Sequence, residues 1–321
     1  MVKEGYKFDL FTNKLVNNSK NLFNRTFSLE EFEKLKSNYK IIISTKALIE
    51  SDITYIHDHS YLYRQKMMSN PISHFFYKIF NRKKHLKRLK EFEDVKSKIC
   101  KIKKVIVSSE ILKQDMIENY GVNPEQIVIL PPPIEKYDFR ERSSNDIFTF
   151  GISAVGFERK GGYLTLKVIR ELKKQGYKFK VKFIYPSKNY WVNLLIKLYG
   201  IKGYCEILPL YKDMSEFYYS IDCLLMPSLI EPFGMVATEA LSTGCPVVTG
   251  LHCGASDVIK NSENGFLYEG NKSYKNLAKA MIKAIEQIPQ NKEYFKNNCL
   301  KSVENQTLEK FCSKYIDLLK F

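Results

Sequence analysis

No stretch of the 321 residues strings together the roughly 18 apolar residues that a membrane-spanning helix needs. The opening MVKEGYKFDLF has no continuous apolar segment after its basic residue, so no secretory signal is expected. The seven cysteines, Cys100, Cys205, Cys223, Cys245, Cys253, Cys299 and Cys312, form no CxxC pair and no metal-ligand spacing. An odd number scattered through apparent helices and strands argues against a disulfide framework and reads as reduced cytosolic thiols. Internal repeats, low-complexity tracts and Pro/Ser-rich linkers are missing, and with 44% hydrophobic residues the chain reads as globular, not disordered. Its length suits two lobes of about 150 residues each.

Acids are the scarce charge. Thirty-five Asp and Glu face 51 Lys and Arg, a net charge of +16, which predicts attraction to polyanions or to an anionic membrane surface. The densest basic run, NRKKHLKRLK from Asn81 to Lys90, leads into a helical pattern in which Leu86, Leu89 and Val95 share part of a face. A solvated helix face and a lipid-headgroup patch are the two readings of that run. Basic residues are not interleaved with aromatics in any recognised binding module, so no nucleic acid partner is expected. The single tryptophan, Trp191, lies in NYWVNLLIKLYG with Leu194, Leu195 and Leu198 on one helical face. That face is assigned to core packing, with membrane insertion as the alternative.

What the chain does have is alternation. KFDLFT and KIIIST read as buried strands with the helix LEEFEKLKS between them, and ITYIHDHS as a short strand with a polar end. After the basic helix come the strand KKVIVSS, the helix EILKQDMIENYG closed by Gly121, and the strand QIVILPPP, which Pro131 to Pro133 terminate. The polar stretch IEKYDFRERSSND reads as a linker and hinge. A second strand-helix series follows: IFTFGISAVG, GYLTLKVIRELKKQG, FKVKFIYP, YCEILPL, MSEFYYSI and DCLLMPS. Alternation without tight hairpins implies parallel sheets wrapped by helices, and two such α/β units place a cleft at the carboxyl ends of both sheets.

The stretch LIEPFGMVATEALSTGCPVV carries the chemistry. Pro232 and Gly234 shape a turn into the helix MVATEALST, so the N–H groups near Phe233, Gly234, Met235 and Val236 stand at a helix N-terminus suited to anions and hydroxyl oxygens. Glu231 precedes the turn and Glu239 lies about one turn into the helix, where both can accept hydrogen bonds from vicinal sugar hydroxyls. A plain loop, helix and strand with surface glutamates is the competing reading. Upstream, GFERKGGYLTL sets Arg159 and Lys160 between two glycines before a helix start, an arrangement suited to phosphate.

EPFGMVATEALSTGCPVV, with LLMPS before it, resembles the E-x7-E signature of glycosyltransferase family 4, retaining enzymes of the GT-B architecture. The resemblance implies an α/β fold with two Rossmann-like domains facing each other across a cleft. GFERKGGYLTL resembles the segment whose lysine, here Lys160, contacts the donor diphosphate; Phe157 stands where the family often has an arginine. YIHDHS resembles the family's histidine strand end, which matches His57 and puts it near the transferred sugar and the acceptor, with Asp58 and His59 as supporting partners. YIHDHSYLYR together with LPPPIE is similar to mannosyltransferase-like members. MVKEGYKFDLFT reads as a helix end, a glycine cap and a second strand, so the family's first strand and glycine-rich loop are expected to be missing.

The resemblance implies transfer of a sugar, mannose being one candidate, from a GDP-sugar or UDP-sugar donor to a glycan or lipid-linked hydroxyl, with no separate cofactor and no metal. Glu239 is expected to bind ribose. Glu231 and the turn N–H groups are expected to hold the sugar, Lys160 and Arg159 to offset the departing diphosphate, and His57 to line the acceptor side. Expected boundaries are 1–138 for the acceptor-side domain and 139–305 for the nucleotide-sugar domain, with 306–321 as a helix packing back on the first. The expected setting is cytoplasmic, peripheral on the membrane face. An inactive binding or scaffold protein of the same fold is the alternative.

Overall fold

β-Branched and aromatic runs become strands, and the amphipathic stretches between them become helices that cross back over each sheet. The computed structural model describes residues 9–11, 25–27, 34–45, 51–68, 81–135, 137, 140, 146–185 and 190–320. A short parallel pair comes first, β1 (Asp9–Phe11) with β2 (Arg25–Phe27). The helix end and glycine cap expected before β1 lie outside the described residues. So does most of LEEFEKLKS, of which Lys36–Asn38 is a 3₁₀ turn.

The first lobe is a parallel sheet in the order β3-β4-β5-β6, built from β3 (Ile43–Ser44), β4 (Ile53–Ile56), β5 (Lys104–Val107) and β6 (Ile127–Ile129). Its helices are α1 (Tyr61–Met68), α2 (Arg82–Ile99) and α3 (Glu110–Asp115), the last continuing through a π-turn to Gly121, whose φ of 74° ends it. The basic helix α2 turns Phe92 and Ile99 inward, and Val95 packs beside them. Leu86, expected on that face, is 53% exposed, because the buried positions fall at Phe92 and Ile99 and the first turns carry almost only cations.

The second lobe is a six-stranded parallel sheet in the order β12-β11-β10-β7-β8-β9. Chain order runs β7 (Thr149–Ser153), α4 (Gly162–Lys174), β8 (Lys180–Ile184), α5 (Tyr190–Leu198), β9 (Cys205–Leu208), α6 (Met214–Tyr219), β10 (Cys223–Met226), α7 (Met235–Ser242), β11 (Val247–Gly250) and β12 (Gly265–Tyr268). From β7 the chain winds outward through β8 to β9, then returns to β10 on β7's other flank. The direction of winding reverses between β7 and β10, the switch point where open α/β sheets bind ligands. Phe150, Phe183, Leu166, Ile169 and Phe266 fill the core on one face. Phe217, Tyr218, Leu241 and Val247 fill it on the other.

Three helices complete the chain: α8 (Tyr274–Gln287), α9 (Lys292–Val303) and α10 (Leu308–Asp317). α8 and α9 cover the second sheet, whereas Tyr315 and Leu319 at the end of α10 join Ile53, Tyr55 and Ile106 of the first lobe. The linker stretch falls partly outside the described residues; Ile134 within it donates its N–H to Gln306 just before α10.

Trp191 departs from the core assignment. It is 66% exposed and Leu198 68% exposed, while Val192 and Ile196 are the buried residues of α5. Asn193 and Lys197 are the helix's only polar residues, so several apolar positions could face inward, and the two β-branched residues are the ones that join the core cluster of Phe183.

Candidate functional site

Two loops meet at the switch point. After β7 the chain turns through Gly156 to Gly161, and after β10 it runs Pro227 to Gly234. Gly161 has φ 75°, and a Cβ there would lie 2.0 Å from the Pro227 carbonyl oxygen, so only glycine lets the loops approach this closely. The Leu229 N–H donates to the Arg159 carbonyl at 2.8 Å and locks them together. Arg159 and Lys160 thereby face Glu231. Lys160 Nζ donates to Glu231 Oε2 at 2.5 Å, and an Arg159 guanidinium nitrogen donates to the same oxygen at 3.3 Å. The Lys160 and Glu231 side chains are 14% and 12% exposed, so water screens this pair far less than a surface pair.

Glu231 is fixed from behind as well. Its carbonyl accepts the Gly254 N–H at 2.9 Å, and Glu231 bridges Cys253 in parallel fashion. The Cys253 thiol donates to the Ser228 carbonyl, and burial pushes its pKa up to about 12, so it packs as a neutral group. Gly234 then enters α7 with φ 95° and no side chain caps the helix. The Phe233 side chain is buried and Val236 packs on the core, so what these positions offer a ligand is backbone N–H; Met235 is half exposed.

Glu239 lies in different surroundings. Tyr218 of α6 donates its hydroxyl to Glu239 Oε2 at 2.6 Å, and burial, then the neighbouring carboxylate, drives the phenol pKa far above its ordinary value. The carboxylate opens on a cavity of about 430 Å³ shared with Tyr137, Arg140, Lys212, Asp213 and Ser215. Burial, followed by the charges of Glu239 and Asp213, pushes Tyr137 up to about 12.

The structure thus brings Arg159, Lys160 and Glu231 into one cluster and leaves Glu239 in a second. His57 belongs to neither. It follows β4 in the first lobe, rests on the Tyr55 ring at 4.2 Å, and lines a cavity of about 630 Å³ with Arg64, Arg88 and Phe92. Burial lowers its pKa against the opposing charge of Asp58. His59 is the histidine that is locked: its Nδ1 is 2.8 Å from Asp115 Oδ2, both side chains are 0% exposed, and Tyr63 stacks on the ring at 4.1 Å. Asp115 also accepts the Ser60 N–H and hydroxyl and the Asn119 amide. The other ring nitrogen, Nε2, is buried without a partner among the described residues.

The first lobe abuts the glutamate turn directly. Ser109, the N-cap of α3, donates its hydroxyl to the Pro232 carbonyl at 2.5 Å, and the Glu110 N–H donates to Asp257 Oδ2 at 2.7 Å. Asn271 donates to Met67 O and Leu229 O, tying α1 to the same loop. Tyr218, Asp115 and Ser109 were invisible in the motifs; the one signal was the polar S-S-E before an apolar helix, which marks an N-cap. Phe157, standing where the family often has an arginine, stacks on Phe183 and meets Tyr163 and Tyr185, so it belongs to the core.

Comparison with known proteins bears on the family and the fold. The family model described as "Glycosyl transferases group 1" matches residues 133–301, more than half of the chain. The lipopolysaccharide glucosyltransferase WaaG of Escherichia coli is 26% identical over 230 residues, 67% of this chain and 61% of its own length. An uncharacterised glycosyltransferase of Methanocaldococcus jannaschii is 26% identical over 150 residues, 45% of this chain and 38% of its own length. The chain therefore spans less than two thirds of these relatives. Among solved structures, WaaG superposes with a TM-score of 0.74 at 18% identity, covering 99% of this chain and 92% of its own. Sucrose-phosphate synthase of Thermosynechococcus elongatus superposes with a TM-score of 0.71 at 14% identity, covering 99% and 89%. These likenesses establish the two-lobed GT-B fold, and with the family model matching the whole glutamate-bearing lobe, the chain belongs to the glycosyl transferases group 1 family.

Proposed function

We propose that the protein transfers a hexose from a nucleoside diphosphate sugar to a hydroxyl of a glycan or lipid-linked acceptor, with retention at the anomeric carbon. The observation that carries this reading is the convergence of Arg159 and Lys160 on Glu231 at the switch point, with a second carboxylate, Glu239, held by Tyr218 at a neighbouring cavity. Glu239 accepts the ribose hydroxyls. A donor diphosphate brings more negative charge than one carboxylate, so Lys160 and Arg159 shift toward it and offset the charge that grows on the leaving oxygen. Glu231, released from its ion pair, accepts hydroxyls of the sugar, and the N–H groups at the start of α7 complete its cradle.

His57 lines the acceptor side, and the leaving phosphate oxygen takes the acceptor proton. Orientation and charge stabilisation are the chain's main contributions. Mannose, to which the subgroup resemblance points, and glucose, named for the lipopolysaccharide relative, are the sugars to compare. The reading is tested by a thermal-shift titration with UDP and GDP, then by release of nucleotide from UDP-glucose and GDP-mannose. A ligand at 100 times its dissociation constant raises stability by about 2.7 kcal/mol. Stabilisation by one nucleotide with turnover of its sugar conjugate supports transfer; stabilisation without turnover, even with added glycan or lipid-linked acceptors, favours the binding protein.

A further inference from the structure

The outward face of α5 is built for a different medium than water. Tyr190, Leu194 and Leu198 are spaced four residues apart and fall in one line along the helix, with Trp191 beside the line. Tyr190 is 72% exposed, Trp191 66% and Leu198 68%, whereas Val192 and Ile196 on the opposite face anchor the helix to the core. Tyr190 and Trp191 meet edge to face at 5.9 Å. Aromatics of this amphipathic kind, beside leucines, are the side chains that settle at the level of lipid headgroups.

The charge along this stretch of the chain has one sign. Between Glu171 and Glu206 the sequence has no acid, and its exposed lysines include Lys174, Lys178, Lys197 and Lys202. Lys173 reaches across from α4 to donate to the Gly200 carbonyl at 2.6 Å, and the Arg170 guanidinium lies 5.1 Å from the Tyr199 ring centroid. Cations therefore gather where α5 ends. Anionic headgroups match this arrangement: each nearby Lys or Arg favours them, and their long stems lie along apolar surface. A second copy of the chain fits less well. Two aromatics of about 150–250 Å² each and two leucines fall short of the ~800 Å² per partner of a stable protein interface.

We propose that this face of the second lobe docks on an anionic lipid surface, with α5 lying in the headgroup plane and Trp191 and Tyr190 inserted. α5 opens soon after the carboxyl end of β8, the end at which Lys160 follows β7 and Glu231 follows β10. Docking therefore holds the lobe that carries the candidate site at the membrane, where a lipid-linked acceptor resides. That last step rests on the transferase reading; the docking itself does not.

The test uses the intact chain, whose only tryptophan is Trp191. Its emission is followed with vesicles of phosphatidylcholine alone and of phosphatidylcholine mixed with phosphatidylglycerol. The mixed vesicles are expected to shift the emission to the blue, brominated acyl chains to quench it, and added salt to reverse both. A Tyr190→Ser/Leu198→Ser variant, which keeps the reporter, is expected to bind the mixed vesicles about tenfold more weakly, with far-UV circular dichroism and nucleotide-induced stabilisation unchanged. Vesicle binding that leaves Trp191 emission unaltered would place the lipid contact elsewhere, α2 being the next face to test, and overturn the proposal. So would no binding at all, or a blue shift that depends on protein concentration without lipid, the mark of a second copy. Failure of the transferase reading shows separately, as no stabilisation by UDP or GDP.

Discussion

Glu231 and Glu239 flank one turn, yet their partners differ in kind. Glu231 faces two cations, Lys160 at 2.5 Å and Arg159 at 3.3 Å. Glu239 faces a neutral phenol, Tyr218 at 2.6 Å, and an open cavity. A carboxylate already neutralised by cations is a competitor for the phosphates those cations would hold. One that is only hydrogen-bonded keeps its charge and its remaining lone pairs for a ligand's hydroxyls. The two glutamates are thus read as a displaceable counter-ion and a fixed acceptor.

The largest effect is expected where charge develops during transfer. Lys160→Ala should lower kcat about 100- to 1,000-fold, as removal of one charge-stabilising donor does elsewhere, measured as nucleotide release under saturating donor. Glu231→Gln comes next and separates the two roles. By removing the competing charge it should tighten UDP or GDP binding severalfold in calorimetry while turnover falls; weaker nucleotide binding would show that Glu231 is not a counter-ion.

Tyr218→Phe should be milder. It removes one hydrogen bond to a charged group, about 1.5–3 kcal/mol, and should loosen nucleotide binding while leaving the Lys160 cluster intact. The smallest effect concerns His252, whose Nε2–H donates to the Ser228 carbonyl at 2.8 Å and whose pKa burial lowers from 6.5. Below pH 6.5 the unfolded imidazole takes up a proton that the folded one resists. Stability should therefore fall as pH drops through that value, and His252→Asn should flatten the fall in urea denaturation followed between pH 5 and 7, about 1.4 kcal/mol for each unit by which burial lowers the pKa.

Local pattern explains what the sequence made legible. Alternating apolar strands and amphipathic helices announced two parallel sheets, and the E-P-F-G turn and the distant R-K pair each stood out as a candidate ligand loop, because glycine spacing and helix starts are written in adjacent residues. The pairings that organise the site are not local. His59 meets Asp115 through strand-helix packing in the first lobe, and Glu239 meets Tyr218 because α6 and α7 share one face of the second sheet. Nothing in either segment names its partner. The Trp191 face was misassigned for a related reason: with only Asn193 and Lys197 polar, several apolar positions of the helix could face inward, and packing decides which of them are covered.

The most direct test of the account compares nucleosides with nucleoside diphosphates. Affinities of uridine, guanosine, UDP and GDP would be measured by calorimetry for the wild type, Glu239→Ala and Lys160→Ala. The account predicts that Glu239→Ala weakens nucleoside and diphosphate by the same factor, on the order of tenfold or more, whereas Lys160→Ala weakens only the diphosphate. Equal losses in both variants, or a Glu239→Ala protein that binds the nucleoside as the wild type does, would contradict the division of labour between the two glutamates.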